Sequence, residues 1–146
     1  MRPRPARPAF TLPELLITCA LLGLFATVAL PRTGAALDRI RLRQAGDEVA
    51  AALAFGRSAA IARTTYVRVV LDETEGAVRV EADDEMLLRR DPGPLHRVAL
   101  RATRDTVTYA PTGLGFGLAN TTIAIARGAR AETVTVSRLG RVRTSW

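Results

Sequence analysis

The sequence predicts an α+β protein: a long amino-terminal helix, apolar in its first half and amphipathic in its second, packed on antiparallel β-sheet. Three observations predict it. Leu15 to Leu30 (LLITCALLGLFATVAL) carry no charge. From Ala36 to Thr64 the apolar residues Leu37, Ile40, Ala45, Val49, Leu53, Ala60 and Ile61 recur at steps of three or four, the repeat of one helix face. After Thr65 the repeat becomes two, in Tyr66-Val67-Arg68-Val69-Val70-Leu71 and again in Ala77-Val78-Arg79-Val80-Glu81, as in strands with one covered face. A length of 146 residues suits one small domain.

At the amino terminus, residues 1–9 hold Arg2, Arg4 and Arg7. Phe10 to Pro31 then supply the roughly 20 mostly apolar residues a membrane span needs. Arginines ahead of such a span predict that residues 1–9 are cytoplasmic and that everything after Pro31 lies on the far side. Glu14 is the anomaly, because a charge at a bilayer centre costs about 2.5 to 3.5 kcal/mol on insertion scales, less near the interface. A cleaved secretory signal, with a small-residue site at Thr33-Gly34-Ala35-Ala36, leaves that acid unexplained. A plain anchor leaves it without a partner. A segment that packs against copies of itself can supply one. Pro13 falls in the first helical turn, where its missing amide costs little. Pro31 and Gly34 predict a kink or local melting.

The second helical half, 36–64, keeps Asp38, Arg39, Arg41, Arg43, Asp47, Glu48 and Arg57 mostly off its apolar stripe, and Gly56 weakens it locally by about 1 kcal/mol relative to alanine. A turn from Asp72 to Gly76 joins the two period-two runs into a hairpin. Further strands are expected at Met86 to Arg90, His96 to Leu100, Thr106 to Tyr109, Thr121 to Ala126 and Glu132 to Ser137. Pro92-Gly93-Pro94, Gly113 to Gly117 and Gly128 separate them.

Composition argues against an enzyme. Cys19 is the single cysteine and His96 the single histidine, and Ser58, Ser137 and Ser145 stand far from His96 in sequence. Neither a metal site built on several thiolates or imidazoles nor hydrolytic machinery is expected, and no cofactor is implied. The acidic run Glu81, Asp83, Asp84, Glu85 fits no 12-residue calcium loop and reads as a solvated turn. Net charge is +7, with every basic residue an arginine. Phe10 to Tyr109 balance 13 arginines against 13 acids, whereas Ala110 to Trp146 set Arg127, Arg130, Arg138, Arg141 and Arg143 against Glu132 alone. The excess sits at the two ends.

Ala9-Phe10-Thr11-Leu12-Pro13-Glu14-Leu15-Leu16 resembles the processing motif of type IV pilins and of the pseudopilins of type II secretion. The resemblance implies the type IV pilin fold in three parts. Residues 1–9 are a basic leader cleaved by a prepilin peptidase, 10–31 a transmembrane and filament-core helix, and 32–146 an exported globular domain that includes the amphipathic helix 36–64. It further implies cleavage between Ala9 and Phe10, N-methylation of Phe10, and pairing of Glu14 with the amino terminus of a neighbouring subunit. A charge so paired is tolerated in an apolar bundle. Ala9 stands where the family usually has glycine, so cleavage is slower or depends on a tolerant peptidase. Partners implied are other pilins or pseudopilins, the peptidase and the bacterial inner membrane, which the single-pass chain leaves for a pilus or pseudopilus.

Two segments resemble the minor pilins of the GspH/FimT family in particular. Arg57-Ser58-Ala59-Ala60-Ile61-Ala62-Arg63 is similar to that family's helix end, and Val136-Ser137-Arg138-Leu139-Gly140-Arg141-Val142-Arg143 to its last turn and strand. The tail pattern Gly-Arg-x-Arg, Gly140 to Arg143, is the one by which DNA-binding members hold DNA. By residue chemistry alone the tail is also a glycine turn before an edge strand whose outward arginines prevent aggregation. Side chains two apart on a strand project together, so Arg141 and Arg143 can straddle phosphates. Arg138 precedes the turn, and Arg127 and Arg130 join the contacts if their loop folds beside the tail. Arginine-phosphate contacts hold any sequence. With 5% aromatic residues and only Trp146 near the tail, a stacking platform is weak and duplex DNA the better partner than single strands. The implied function is a minor pilin that binds extracellular DNA for natural transformation. The alternatives are a type II secretion tip pseudopilin working through protein contacts, and a periplasmic domain released from a signal peptide.

Overall fold

The computed structural model describes residues 11–117 and 120–145. The expected leader 1–9, the Ala9/Phe10 junction with its methylation site, and Trp146 lie outside the described residues. The chain divides into two units, Met1–Leu37 and Asp38–Trp146.

Helix α1 (Leu12–Arg63) begins in the first unit and ends in the second. Its start is a capping arrangement: the Thr11 amide donates to Glu14 Oε2 at 3.4 Å while the Leu15 amide donates to the Thr11 carbonyl at 3.1 Å. A glutamate at the third helical position thereby satisfies an amide the helix cannot. Pro13 sits in that first turn, as expected. Leu12, Leu16, Ile17, Leu22, Leu24 and Phe25 are all more than 60% exposed, an extent of bare apolar surface that marks an interaction site. Among the described residues no helix is long and apolar enough to cross a membrane, and the span expected over 10–31 falls partly outside them. The local melting expected at Pro31 and Gly34 does not occur, since α1 is helical through both. One proline deletes one hydrogen bond, and helix propagation on either side outlasts it.

In the second unit α1 seats Leu42, Ala45, Gly46, Val49, Ala52, Leu53, Gly56, Ala59 and Ala60. Of the expected stripe, Ala45, Val49, Leu53 and Ala60 are buried, whereas Leu37, Ile40 and Ile61 are about half exposed. Six of these nine are alanine or glycine, because the helix lies close on the strands. A Cβ on Gly56 would fall 2.6 Å from Val69 Cγ2.

The strands are β1 (Val67–Asp72), β2 (Ala77–Ala82), β3 (Glu85–Arg90), β4 (Ala99–Ala102), β5 (Thr106–Tyr109), β6 (Gly115–Phe116), β7 (Thr121–Arg127), β8 (Arg130–Val136) and β9 (Val142–Ser145), with a short helix α2 (Pro92–His96) after β3. Sheet A runs β3-β2-β1-β5-β6 and sheet B runs β4-β7-β8-β9. All described pairings are antiparallel, among them Val69↔Val80, Val69↔Val107, Leu100↔Ile125 and Ile123↔Val134. Inward residues of both sheets join the α1 face in one core that includes Val67, Val80, Tyr109, Ile125 and Val136. The chain leaves sheet A for β4, returns for β5 and β6, and crosses again for β7.

The hairpin β1/β2 and the strand Thr106–Tyr109 match expectation. The acidic run is the β2/β3 turn, with Asp83 and Asp84 at φ 48° and 64°, the geometry two-residue hairpin loops require. The strand expected at His96 to Leu100 is displaced to Ala99–Ala102. Pro92-Gly93-Pro94, expected as a plain separator, starts α2, because prolines suit a first helical turn. The Gly93 amide donates to the Gly76 carbonyl at 2.9 Å, and a Cβ on Gly93 would lie 2.7 Å from Gly76 Cα. Within the glycine-rich separator 113–117 a two-residue strand, β6, pairs with Thr108 and Tyr109.

Candidate nucleic-acid interface

The tail is pinned by backbone. In the turn 137–141, Gly140 donates its amide to the Ser137 carbonyl at 2.8 Å, and Ser137 donates to the Arg141 carbonyl at 2.9 Å. The Ser137 Oγ accepts the Arg141 amide at 3.2 Å. The Gly115 amide donates to the Arg138 carbonyl at 3.0 Å, and Arg57 Nε, from the end of α1, donates to the Gly113 carbonyl at 2.9 Å. Helix end, β6 loop and tail turn thus meet at one junction. Tyr109 is buried nearby, and burial pushes its hydroxyl up to about 12 while the Arg57 charge pulls slightly the other way.

From this junction β9 leaves as the edge of sheet B, with Thr135↔Arg143 and Val136↔Val142 in register. Arg141 and Arg143 are exposed; Val142 and Thr144 between and beyond them are half-buried. Arg141 and Arg143, with Thr135, Ser137 and Leu139, border a shallow cleft of about 280 Å³. A second groove of about 560 Å³ separates β9 from Ala54, Arg57, Ser58 and Ile61 of α1. Among the described residues Arg138, Arg141 and Arg143 make no ion pair, whereas Arg63, Arg68, Arg79, Arg89 and Arg127 each face a carboxylate. Gly140 is therefore a structural member of the motif and the two arginines its free charges.

Arg127 and Arg130 do not fold beside the tail. They flank the β7/β8 turn, a full β8 length, roughly 20 Å, from Arg138. Arg127 is also engaged: its Nε donates to Asp38 Oδ1 at 2.7 Å, and its Nη1 donates to the carbonyls of His96 and Arg97 at 2.7 and 2.8 Å. His96, expected in a strand, closes α2 and meets Glu48 of α1 at 3.1 Å. Arg130 is exposed and makes no ion pair among the described residues.

Glu132 is buried on the inward side of β8, its Oε2 unpartnered among the described residues and 3.2 Å from where a Gly46 Cβ would stand. Burial raises its carboxyl above the usual range; Arg43 opposes this, Asp47 adds to it and Arg39 opposes it. A pKa higher in the folded state means stability that is full below the unfolded glutamate value and lost as pH rises through the folded one. Glu132→Gln should therefore raise Tm near neutral pH and remove the part of the Tm decline above pH 4.5, the ordinary value, that this carboxyl contributes. Thermal melts of both proteins across that range check it; parallel curves would contradict it. Among the described residues no group of three His, Cys, Asp or Glu could hold a metal.

A long helix bearing two antiparallel sheets, with a basic edge strand at the carboxyl end, defines a pilin-class subunit. The family model described as type II transport protein GspH matches residues 45–140, and the chain belongs to that family of minor pilins and pseudopilins. Two crystal structures of the type IV minor pilin FimU of Pseudomonas aeruginosa have the same fold. One is 18% identical with a TM-score of 0.63, covering 73% of this chain and 90% of that one. The other is 16% identical at 0.60, covering 71% and 92%. Curated protein sequences return no match.

Proposed function

We propose that this minor pilin binds duplex DNA of any sequence through Arg141 and Arg143, with Arg138 beside them, as a DNA receptor of a transformation pilus. The observation that carries the reading is a cluster of exposed arginines without acidic partners on a rigid turn and edge strand. Guanidinium groups on a fixed strand lose little entropy on meeting phosphates. The reading includes a leader cut between Ala9 and Phe10, methylation of Phe10, and passage of residues 10–31 through the inner membrane before assembly with other pilins. In the filament Glu14 exchanges the Thr11 amide for the amino terminus of a neighbour. The cut and the methylation are done to this chain by other enzymes, and no step requires the chain itself to act as an enzyme or to hold a cofactor.

Purified full-length protein in detergent, titrated with unrelated duplexes against salt, tests this. Wild type should bind all of them alike. Arg141→Ala/Arg143→Ala should bind more weakly and flatten the plot of log K against log salt by about 2, near 0.9 for each phosphate no longer neutralised. Equal slopes would remove the DNA reading. The family description as a type II transport protein favours a second reading, a secretion tip pseudopilin that works through protein contacts, and absence of DNA binding at low salt would select it.

A further inference from the structure

Charge is segregated between the two sheets. From residue 67 to 91, which build most of sheet A, four arginines face eight acids; from 99 to 145, which hold all of sheet B, seven arginines face two acids. Within the strands of sheet B the single acid is Glu132, and it points inward and is buried. The strands of this sheet consequently present no outward carboxylate of their own among the described residues; the acid that reaches its edge is Glu73, whose Oε1 accepts the Ala102 amide of β4 at 2.7 Å.

Registers identify what that side does carry. Arg101 of β4 lies opposite Ala124 of β7, Ala124 opposite Thr133 of β8, and Thr133 opposite Ser145 of β9. The neighbouring row has Thr122 opposite Thr135 and Thr135 opposite Arg143. Leu100, Ile123, Ile125, Val134 and Val136 alternate with these and are buried, so the rows face away from the core. The outer face is a floor of alanine, threonine and serine bounded by Arg101 on one edge strand and by Arg141 and Arg143 on the other. Both edges are exposed, and Arg101 makes no ion pair among the described residues. Three strand spacings separate the edges, about 14 Å, which two arginine side chains can match to phosphates flanking a major groove about 12 Å wide.

We infer that DNA, once held at the tail, lies across the outer face of sheet B and is gripped at the far edge by Arg101. The inference rests on the DNA reading above and adds a second anchor and a direction. The Thr133 and Ser145 hydroxyls hydrogen-bond to each other, so the threonine hydroxyls that donate to phosphate oxygens are those of Thr122 and Thr135, and small side chains let the backbone of the duplex approach. A protein partner is the poorer fit, because such interfaces are centred on aromatic, methionine or arginine anchors in pockets. This floor has no large apolar side chain at its centre.

The test uses full-length protein and the same salt titration. Arg101→Ala should flatten the slope by about 0.9, while Arg90→Ala, at the end of β3 in sheet A, should leave it unchanged. Ala124→Glu should weaken binding and Ala124→Arg should strengthen it and steepen the slope; a gain cannot come from misfolding. If Arg141→Ala/Arg143→Ala loses binding while Arg101→Ala and both Ala124 variants match wild type, the inference is overturned and the tail reading stands. If wild type binds no DNA, both fall. If Arg101→Ala instead loses binding of polyglutamate with DNA binding unaltered, the face takes an acidic protein and the inference is overturned.

Discussion

Gly140→Ala should lower the stability of the globular unit by about 2 to 5 kcal/mol, a fall in Tm of about 10 °C or more. Two costs combine. Gly140 has φ 70°, where a residue with a Cβ pays about 1 to 2 kcal/mol. The added Cβ would also stand 2.6 Å from the Gly113 carbonyl oxygen and 3.2 Å from Arg57 Nε. That oxygen is backbone, already accepts the Arg57 hydrogen bond, and cannot turn aside, so the chain must shift at about 1 to 3 kcal/mol, as in overpacked cores. Gly128→Ala is the internal control: φ is 59°, but nothing lies within 4 Å, so only the conformational cost applies. Denaturant melts of the two variants should differ by the packing contribution. Equal losses would mean that the junction of helix end, β6 loop and tail is not tight.

Arg127→Ala should cost about 2 to 4 kcal/mol, and should leave the slope of DNA binding against salt at its wild-type value. Its side chain is 15% exposed, and the guanidinium serves three acceptors on two other elements: Asp38 of α1 and the carbonyls that end α2. Hydrogen bonds to a charged group contribute about 1.5 to 3 kcal/mol, and partners left buried pay their own desolvation. Asp38 is 43% exposed, so water recovers part of that loss. Urea titration together with the DNA assay separates the roles. A stable variant with a flatter slope would instead make Arg127 a phosphate contact.

Local pattern made much of the fold readable and left particular pieces hidden. The hairpin β1/β2 and strand β5 follow from alternation over neighbouring residues, which depends on little beyond the strand itself. The seat of α1 is only half readable: the stripe marks Ala45, Val49, Leu53 and Ala60, whereas close packing also selects Gly46, Ala52 and Gly56, which carry little apolar signal of their own. Helix α2 was hidden because Gly93 docks on Gly76, a contact between distant turns. At the site, alternation correctly put Arg141 and Arg143 side by side. Nearness along the chain offered no hint that Arg127 faces Asp38, 89 residues away. Arg101 was missed as a lone arginine in a short strand. The signal that could have found it is the charge balance of residues 99–145, where seven arginines stand against two acids.

The zigzag of the chain between sheets also governs when the molecule can become whole. Strand β4 is made before the last strands of sheet A, yet its one partner, β7, comes only after β6. A growing polypeptide can close sheet A once β6 is available, while β4 waits without a neighbouring strand. The carboxyl-terminal strands β7 to β9 release it from that wait. Folding of this unit is therefore completed by its last segment, and the arginine-bearing tail acquires its shape in the same closing step.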